Sequence, residues 1–330
     1  MTLGVVIGKF LPPHAGHSYL IDTACAGTER VVVIVCARSD DPIPVEVRVG
    51  WLRGLHPSTT VLACPDDIPD DQGEATSRAW AARTVALLGK APDVVFTSED
   101  YGPRYAAAMG ARHIAVDPGR QRYPISGTLV RADPWRHAEL LAPCVRAWYV
   151  HRVAVVGAES TGTTTLAQDL AAHYGCGWVP EYGRAYCGQR LAEAPTIDWR
   201  SEDFVHIAWQ QQSDEDSVAG HSGRLLICDT DALATSIWHE RYLGFPSPAV
   251  QALAANRSYA LYILTGDDIP FVQDGTRDGE HLRAWMTRRF RQALTERTEP
   301  WIEVRGDRAQ RMTAATRRVA ELLAVPNGAR

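Results

Sequence analysis

Lysine is almost missing from this chain: among 34 Lys+Arg in 330 residues the lysines are Lys9 and Lys90, and none follows residue 150. Any cation that a site in the second half requires must therefore be an arginine. A basic excess is also absent, with 39 Asp+Glu and a formal net charge of -5. That balance does not suit a nucleic-acid backbone, so no nucleic-acid partner is expected. No run of eighteen apolar residues occurs, which argues against a membrane span. The first residues, Met1 to Gly8, enter a strand-like pattern without the basic start of a secretory signal, and a cytoplasmic chain is the expectation. Seven cysteines, at 25, 36, 64, 144, 176, 187 and 228, form no C-x-x-C pair. Neither a disulfide framework nor a zinc knuckle is suggested, and reduced structural thiols are expected.

At roughly 150 residues per domain the length predicts two domains, and 45% hydrophobic content is enough to bury a core in each. Gly4 to Gly8, a His/Pro/Gly loop, a helix over Ser18 to Ala26 and the run Val31 to Val35 read as strand, loop, helix and strand, the opening of a parallel α/β sheet. A helix over Ser77 to Leu88 and strands at Asp93 to Thr97 and His113 to Val116 continue the alternation to about residue 147. The signature restarts at Val153 to Gly157, followed by a helix over Thr164 to Tyr174. Further strands are expected at Leu225 to Cys228 and Ala260 to Leu264, with polar residues at the strand ends where open parallel sheets place ligands. The predicted architecture is two α/β domains, 1–147 and 151–330.

Two groups of residues carry chemistry. In the first, Gly8-Lys9-Phe10-Leu11-Pro12-Pro13-His14-Ala15-Gly16-His17 puts two imidazoles around a glycine between a strand and a helix. Helix N-termini attract anions, imidazoles donate to phosphate oxygens, and Gly16 lets the backbone approach a ligand. Later, Ile125-Ser126-Gly127-Thr128-Leu129-Val130-Arg131 offers hydroxyls and a glycine at a helix start, with an arginine one turn in.

The H-x-G-H loop with the late I-S-x-T-x-x-R-like segment resembles the nucleotidyltransferase superfamily that adenylylates small phosphates. Ile43-Pro44 with Arg48 and Trp51, Thr97-Ser98-Glu99 with Tyr101-Gly102, and Asp117 with Arg120 extend the likeness to the NMN adenylyltransferase half of the bifunctional NadR family, over about residues 1 to 147. Many superfamily members carry serine where Gly127 stands. The resemblance implies a Rossmann-like sheet and attack by the phosphate of nicotinamide mononucleotide (NMN) on the α-phosphorus of ATP. His14 and His17 then serve the ATP phosphates as catalytic residues with Arg131. Gly8, Lys9, Phe10, Gly16, Ser126, Gly127 and Thr128 complete the ATP site, and magnesium screens the triphosphate.

The second group, Gly157-Ala158-Glu159-Ser160-Thr161-Gly162-Thr163-Thr164-Thr165, matches G-x-x-x-x-G-K-[ST] except that Thr163 stands at the lysine. The backbone still forms an anion nest, and Thr164 still offers a hydroxyl to magnesium. Leu225-Leu226-Ile227-Cys228-Asp229 reads as the apolar strand ending in an acid that usually accompanies such a loop. With Glu181-Tyr182-Gly183-Arg184, Asp229-Thr230-Asp231, Asp274-Gly275-Thr276-Arg277 and Trp301 to Asp307, residues 151 to 325 resemble the ribosylnicotinamide kinase half of the same family. This implies ATP-dependent phosphorylation of ribosylnicotinamide to NMN. Gly157, Gly162, Thr163, Thr164, Thr165 and Arg277 then bind ATP, Thr164 and Asp229 hold Mg2+, and Glu181, Arg184 and Asp231 bind ribosylnicotinamide, with Asp231 or Glu181 accepting the proton.

Thr163 leaves a second reading, an adenylyltransferase whose kinase-like half binds nucleotide without turnover. The family also includes repressors with an N-terminal helix-turn-helix, so an NAD-responsive regulator is a third. With the first strand starting near residue 3, such a helical domain is not expected. The expected partners are small-molecule substrates, with room for a homo-oligomer and none for a membrane. Trp51, Trp80, Trp135 and Trp148 read as core; Asp66-Asp67 and Asp70-Asp71 read as a solvated acidic loop and Asp214-Glu215-Asp216 as a charged helix face.

Overall fold

The structure, a computed structural model, describes residues 1–69, 73–194, 196–273 and 279–324. The chain divides into two compact units, Met1–Val145 and a second beginning at Arg146. In the first, the order is β1 (Leu3–Gly8), α1 (Ala15–Gly27), β2 (Arg30–Ala37), α2 (Val45–Leu55), β3 (Thr60–Pro65), α3 (Glu74–Leu88), β4 (Val94–Thr97), α4 (Gly102–Ala107), β5 (Arg112–Ala115) and α5 (Gly127–Ala132). Helix α6 (Pro143–Tyr149) lies at the division. The second unit has β6 (His151–Gly157), α7 (Thr163–Tyr174), β7 (Gly177–Val179), α8 (Tyr182–Glu193), α9 (Ser201–Ala219), β8 (Leu225–Asp229), α10 (Ala232–Leu243), α11 (Pro248–Ala255), β9 (Leu261–Thr265), α12 (Arg283–Thr295), β10 (Trp301–Val304) and α13 (Arg308–Ala324).

Both units are α/β, each built on a five-stranded parallel sheet: β3-β2-β1-β4-β5 in the first and β10-β9-β6-β8-β7 in the second. Helices cover both faces of such sheets, so strands read as continuous apolar runs. β2 is buried from Val31 to Cys36, and β8 is buried throughout. On one face of the first sheet Val6, Ile21, Val33 and Phe96 share a core; on the other Val5, Ile34, Val95 and Tyr105 do. Val153, Val155, Leu170, Ile227 and Ile263 form the corresponding core of the second unit. In each sheet the central strand, β1 or β6, carries the glycine-rich loop at its carboxyl end. The chain leaves β1 toward β2 and β3 and then returns to its other side as β4. This reversal opens a crevice at the strand ends.

Several expectations change. Helix α1 begins at Ala15, earlier than Ser18, because His14 takes the extended conformation of a capping residue. Trp148 is 39% exposed and is not core. Glu215, expected on a charged face, is completely buried. Tyr259 donates its hydroxyl to both Glu215 oxygens at 2.8 and 3.0 Å, and Arg257 donates at 3.2 Å. Burial still pushes that carboxyl up to about 7. The Asp66 side chain is also mostly buried; Asp70-Asp71 lies outside the described residues. Among the described residues no helix is long and apolar enough to cross a membrane.

Candidate functional site

The loop after β1 becomes the N-terminus of α1 within a few residues, and that tight passage brings the imidazoles together. The His14 and His17 rings stack with centroids 3.8 Å apart, and Phe10 packs 4.8 Å from His17. A Cβ on Gly16 would come within 3.3 Å of the His14 ring, so a larger residue there would press on the stack. Both Nδ1 atoms are buried without a hydrogen-bond partner in the protein, an arrangement that costs free energy unless a ligand supplies one. Burial, helped by the Arg120 charge, lowers the His14 pKa to about 4. Burial, then His14 and Arg120, holds His17 well below the ordinary imidazole range. Near neutral pH both rings are neutral, each with one N–H to give. His14 also borders a cavity of about 310 Å³ together with Ser18, Tyr19 and Tyr123.

The late segment meets this loop directly. Ser126 caps α5, accepting from the Leu129 amide at 3.3 Å. Arg131 donates through Nη1 to the Leu11 carbonyl and through Nη2 to Thr128 Oγ1 at 3.3 Å. Residues 120 positions apart are thereby joined. Gly127 sits where a Cβ would overlap the Leu11 carbonyl and crowd Arg131. The glycine therefore accounts for the close approach of the two segments. Gly127→Ala is expected to destabilise the first unit by about 1–3 kcal/mol, the cost of forcing an atom into packed backbone; thermal unfolding of that unit checks it, and an unchanged midpoint would refute the steric argument.

The surrounding residues hold the loop. Arg48, fully buried, donates to the carbonyls of Lys9 at 2.7 Å and Cys36 at 3.2 Å and pairs with Asp41 at 2.8 Å. Lys9 pairs with Asp66 at 3.2 Å, and Arg38 with the same carboxylate at 3.1 Å. Asp66 is thus a counter-ion for the loop lysine, which its place in an acidic, Pro-flanked stretch did not reveal. The Phe10 ring is 1% exposed and belongs to the core. It packs against His17. Asp117 accepts from the Gln121, Arg122 and Tyr123 amides, shaping the turn that delivers α5.

In the second unit the loop passes from β6 into α7 with Gly162 in the left-handed region at φ 83°. A Cβ on Gly157 would overlap the hydroxyls of Thr265 and Thr161. Those hydroxyls bond each other at 2.7 Å, closing the loop's base. Asp229, at the end of β8, is 1% exposed. Burial first and the Glu181 carboxylate second push it up to about 7, against hydrogen bonds from the hydroxyls of Thr164 and Thr163 and the charge of Arg184. Glu181 and Arg184 lie 3.4 Å apart at the start of α8. One locus therefore holds Thr163, Thr164, Asp229, Glu181 and Arg184. Oxygen donors from Thr164 and a buried, poorly compensated carboxylate suit a hard divalent cation that takes its remaining ligands from phosphate and water.

Two other expected site residues have different surroundings. Asp231 caps α10, accepting from the Ala234 amide at 2.9 Å through one oxygen and from the Tyr262 hydroxyl at 2.8 Å through the other. At 1% exposure both of its oxygens already accept hydrogen bonds, surroundings that suit a helix cap. Thr165 is exposed on the first turn of α7. Arg277, with Asp274-Gly275-Thr276, lies outside the described residues. The sequence reading missed Arg311 and Arg283, which donate to the Thr161 carbonyl at 2.6 Å and the Ser160 carbonyl at 3.3 Å. Arginines at helix starts in an arginine-rich half offer no sequence signal that separates these two.

A pair of parallel α/β units, each with a glycine-bearing strand-to-helix junction on its central strand, defines the class of this chain. A family model described as AAA domain matches residues 152–311. The chain is 30% identical over 296 residues to the trifunctional NAD biosynthesis/regulator protein NadR of Escherichia coli (strain K12), covering 84% of this chain and 72% of that protein. It is 29% identical to the protein of the same name from Salmonella typhimurium over the same shares. A crystal structure of NadR protein in complex with NR superposes with a TM-score of 0.72 at 20% identity, covering 98% of this chain and 96% of the other. One in complex with NAD and AMP-PNP gives 0.68 with the same coverage and identity. The chain belongs to the NadR family.

Proposed function

We propose that this chain is an enzyme of NAD biosynthesis with two activities. Its first unit transfers the adenylyl group of ATP to NMN, and its second phosphorylates ribosylnicotinamide to make that NMN. The observation that carries the reading is the stacked, neutral His14–His17 pair at the start of α1, joined to the capped start of α5 by the Arg131–Leu11 hydrogen bond.

In the first reaction an NMN phosphate oxygen attacks the α-phosphorus of ATP, a new P–O bond forms, and pyrophosphate leaves with the electrons of the broken bond. No protein nucleophile is needed, so catalysis is positioning and charge stabilisation. His17 and His14 donate to phosphate oxygens, the α5 N-terminus and Thr128 face the leaving pyrophosphate, and Lys9 exchanges Asp66 for phosphate. In the second reaction the ribose 5'-hydroxyl attacks the γ-phosphorus and ADP departs. Glu181 receives the hydroxyl proton and Arg184 spreads the developing phosphoryl charge, with Asp231, the other acid expected there, capping α10. Magnesium held by Thr164 and Asp229 would screen the phosphates.

A second reading has a specific basis in Thr163: the second unit binds ATP but does not transfer phosphate. One experiment separates them. The full chain is given ATP, magnesium and ribosylnicotinamide, then ATP, magnesium and NMN, and products are identified by mass. NAD from both mixtures supports two activities; NAD from NMN alone favours the second reading; NAD from neither overturns the proposal.

A further inference from the structure

The Gly157–Thr165 loop lacks the ammonium that position 163 usually provides, yet two other cations reach it from below. Arg311 on α13 is 4% exposed. It donates through Nη1 to the Thr161 carbonyl at 2.6 Å, through Nη2 to the Gly266 carbonyl at 3.0 Å and Asp268 at 2.8 Å, and through Nε to the Gly306 carbonyl at 2.8 Å. Arg283, at the start of α12 and 9% exposed, donates through Nη2 to the carbonyls of Ser160 at 3.3 Å and Ile269 at 2.9 Å. Among the described residues Arg283 has no acidic partner, and Asp268 offsets Arg311 from a partly exposed position.

In a planar trans peptide the C=O of one residue points opposite to the N–H of the next. A guanidinium on the Ser160 carbonyl therefore turns the Thr161 N–H to the opposite face of the loop, and one on the Thr161 carbonyl does the same for the Gly162 N–H. Charged donors on those carbonyls also polarise the peptides and strengthen their amides as anion donors. A Cβ on Gly162 would lie 3.9 Å from Arg311 Nη1, which places the charge against the turn itself.

We propose that Arg311 and Arg283 are the positioning residues of the second nucleotide site: they fix the loop in its phosphate-facing form and supply, through the backbone, the positive charge that position 163 lacks. The inference rests on the reading of this loop as a triphosphate site and goes beyond it in naming the cations.

The test follows hydrogen–deuterium exchange of the peptide covering residues 157–165 in the full chain as ATP with magnesium is added, which isolates this loop from the first unit. In the unchanged chain ATP protects the loop. Arg311→Met is expected to raise the half-protecting ATP concentration by about tenfold or more, equivalent to a lost charged donor, and Arg283→Met by several-fold. Arg311→Lys, which keeps the charge, serves as a folding control together with far-ultraviolet circular dichroism and stays closer to the unchanged chain. Thr163→Lys added to Arg311→Met restores most of the loss, which a merely structural defect would not allow, and it improves the Arg311→Met chain by a larger factor than the otherwise unchanged chain. The inference is overturned if both methionine variants protect at the unchanged concentration, or if Thr163→Lys improves the otherwise unchanged chain as much as the Arg311→Met chain. No protection of this loop by ATP in the unchanged chain would overturn the triphosphate reading and the inference together, while leaving NAD formation by the first unit intact.

Discussion

His17→Ala is expected to lower adenylyl transfer from ATP to NMN by about a hundredfold or more, the range for losing one aimed transition-state donor in a preorganised site. Phosphorylation of ribosylnicotinamide by the second unit stays unchanged. The ring of His17 is held by His14 on one side and Phe10 on the other, so its orientation is set before substrate arrives. NAD formation at saturating substrates measures the effect; a loss under threefold would remove His17 from the transferred phosphate. The pH dependence follows from the same geometry. Burial keeps His14 neutral down to about 4, against an ordinary 6.5, so the unfolded chain binds more protons between those values and stability falls as pH drops through them. A bound polyanion favours the protonated rings and opposes that loss. Affinity for triphosphate at the first site should therefore increase as pH is lowered from 7 toward 5, with proton uptake detectable calorimetrically in two buffers.

Asp229→Asn is expected to reduce phosphorylation of ribosylnicotinamide by about a thousandfold, while making the second unit more heat-stable. Loss of a carboxylate that holds magnesium removes charge stabilisation from a transfer that consists of little else. The stability gain comes from the carboxyl's elevated pKa, about 7 against 3.8. An acid raised in the folded state binds more protons there than when unfolded, so it penalises folding increasingly as pH rises from about 4 to about 7 and fully above. Asparagine removes a penalty on the order of a few kcal/mol at pH 8, and the advantage disappears near pH 4. Thermal unfolding at those two values, beside NMN formation, checks both halves. A variant that is inactive and also less stable at pH 8 would contradict the assignment of Asp229 as a carboxylate held in strain for a cation.

The sheets were legible because a parallel sheet buried on both faces writes its strands as unbroken aliphatic runs, as in Val31 to Val35 and Leu225 to Cys228. The elements that escaped were edge strands and surface helices. β3 carries a proline at its end and exposes Ala63, and β7 has only three residues; neither builds enough period to stand out. Site residues were legible where the chemistry is local, in the H-x-G-H turn and the glycine loop. They were illegible where a contact joins distant positions: Asp66 to Lys9, Arg131 to Leu11, Arg311 to Thr161. Asp231 carries a related ambiguity, since an acid two residues beyond a strand suits a helix cap as well as a reaction centre, and the structure adds the Tyr262 hydroxyl on its second oxygen.

The ion pair between Lys9 and Asp66 has a practical bearing because lysine is so scarce. Lys9 and Lys90 are the two primary amines among the side chains, and Lys90 is exposed beyond the end of α3. Among the side chains, an acylating reagent thus labels one lysine inside the loop after β1 and one remote reference lysine. The ratio between them becomes an internal gauge of whether the first site is engaged, with no dye or engineered cysteine required.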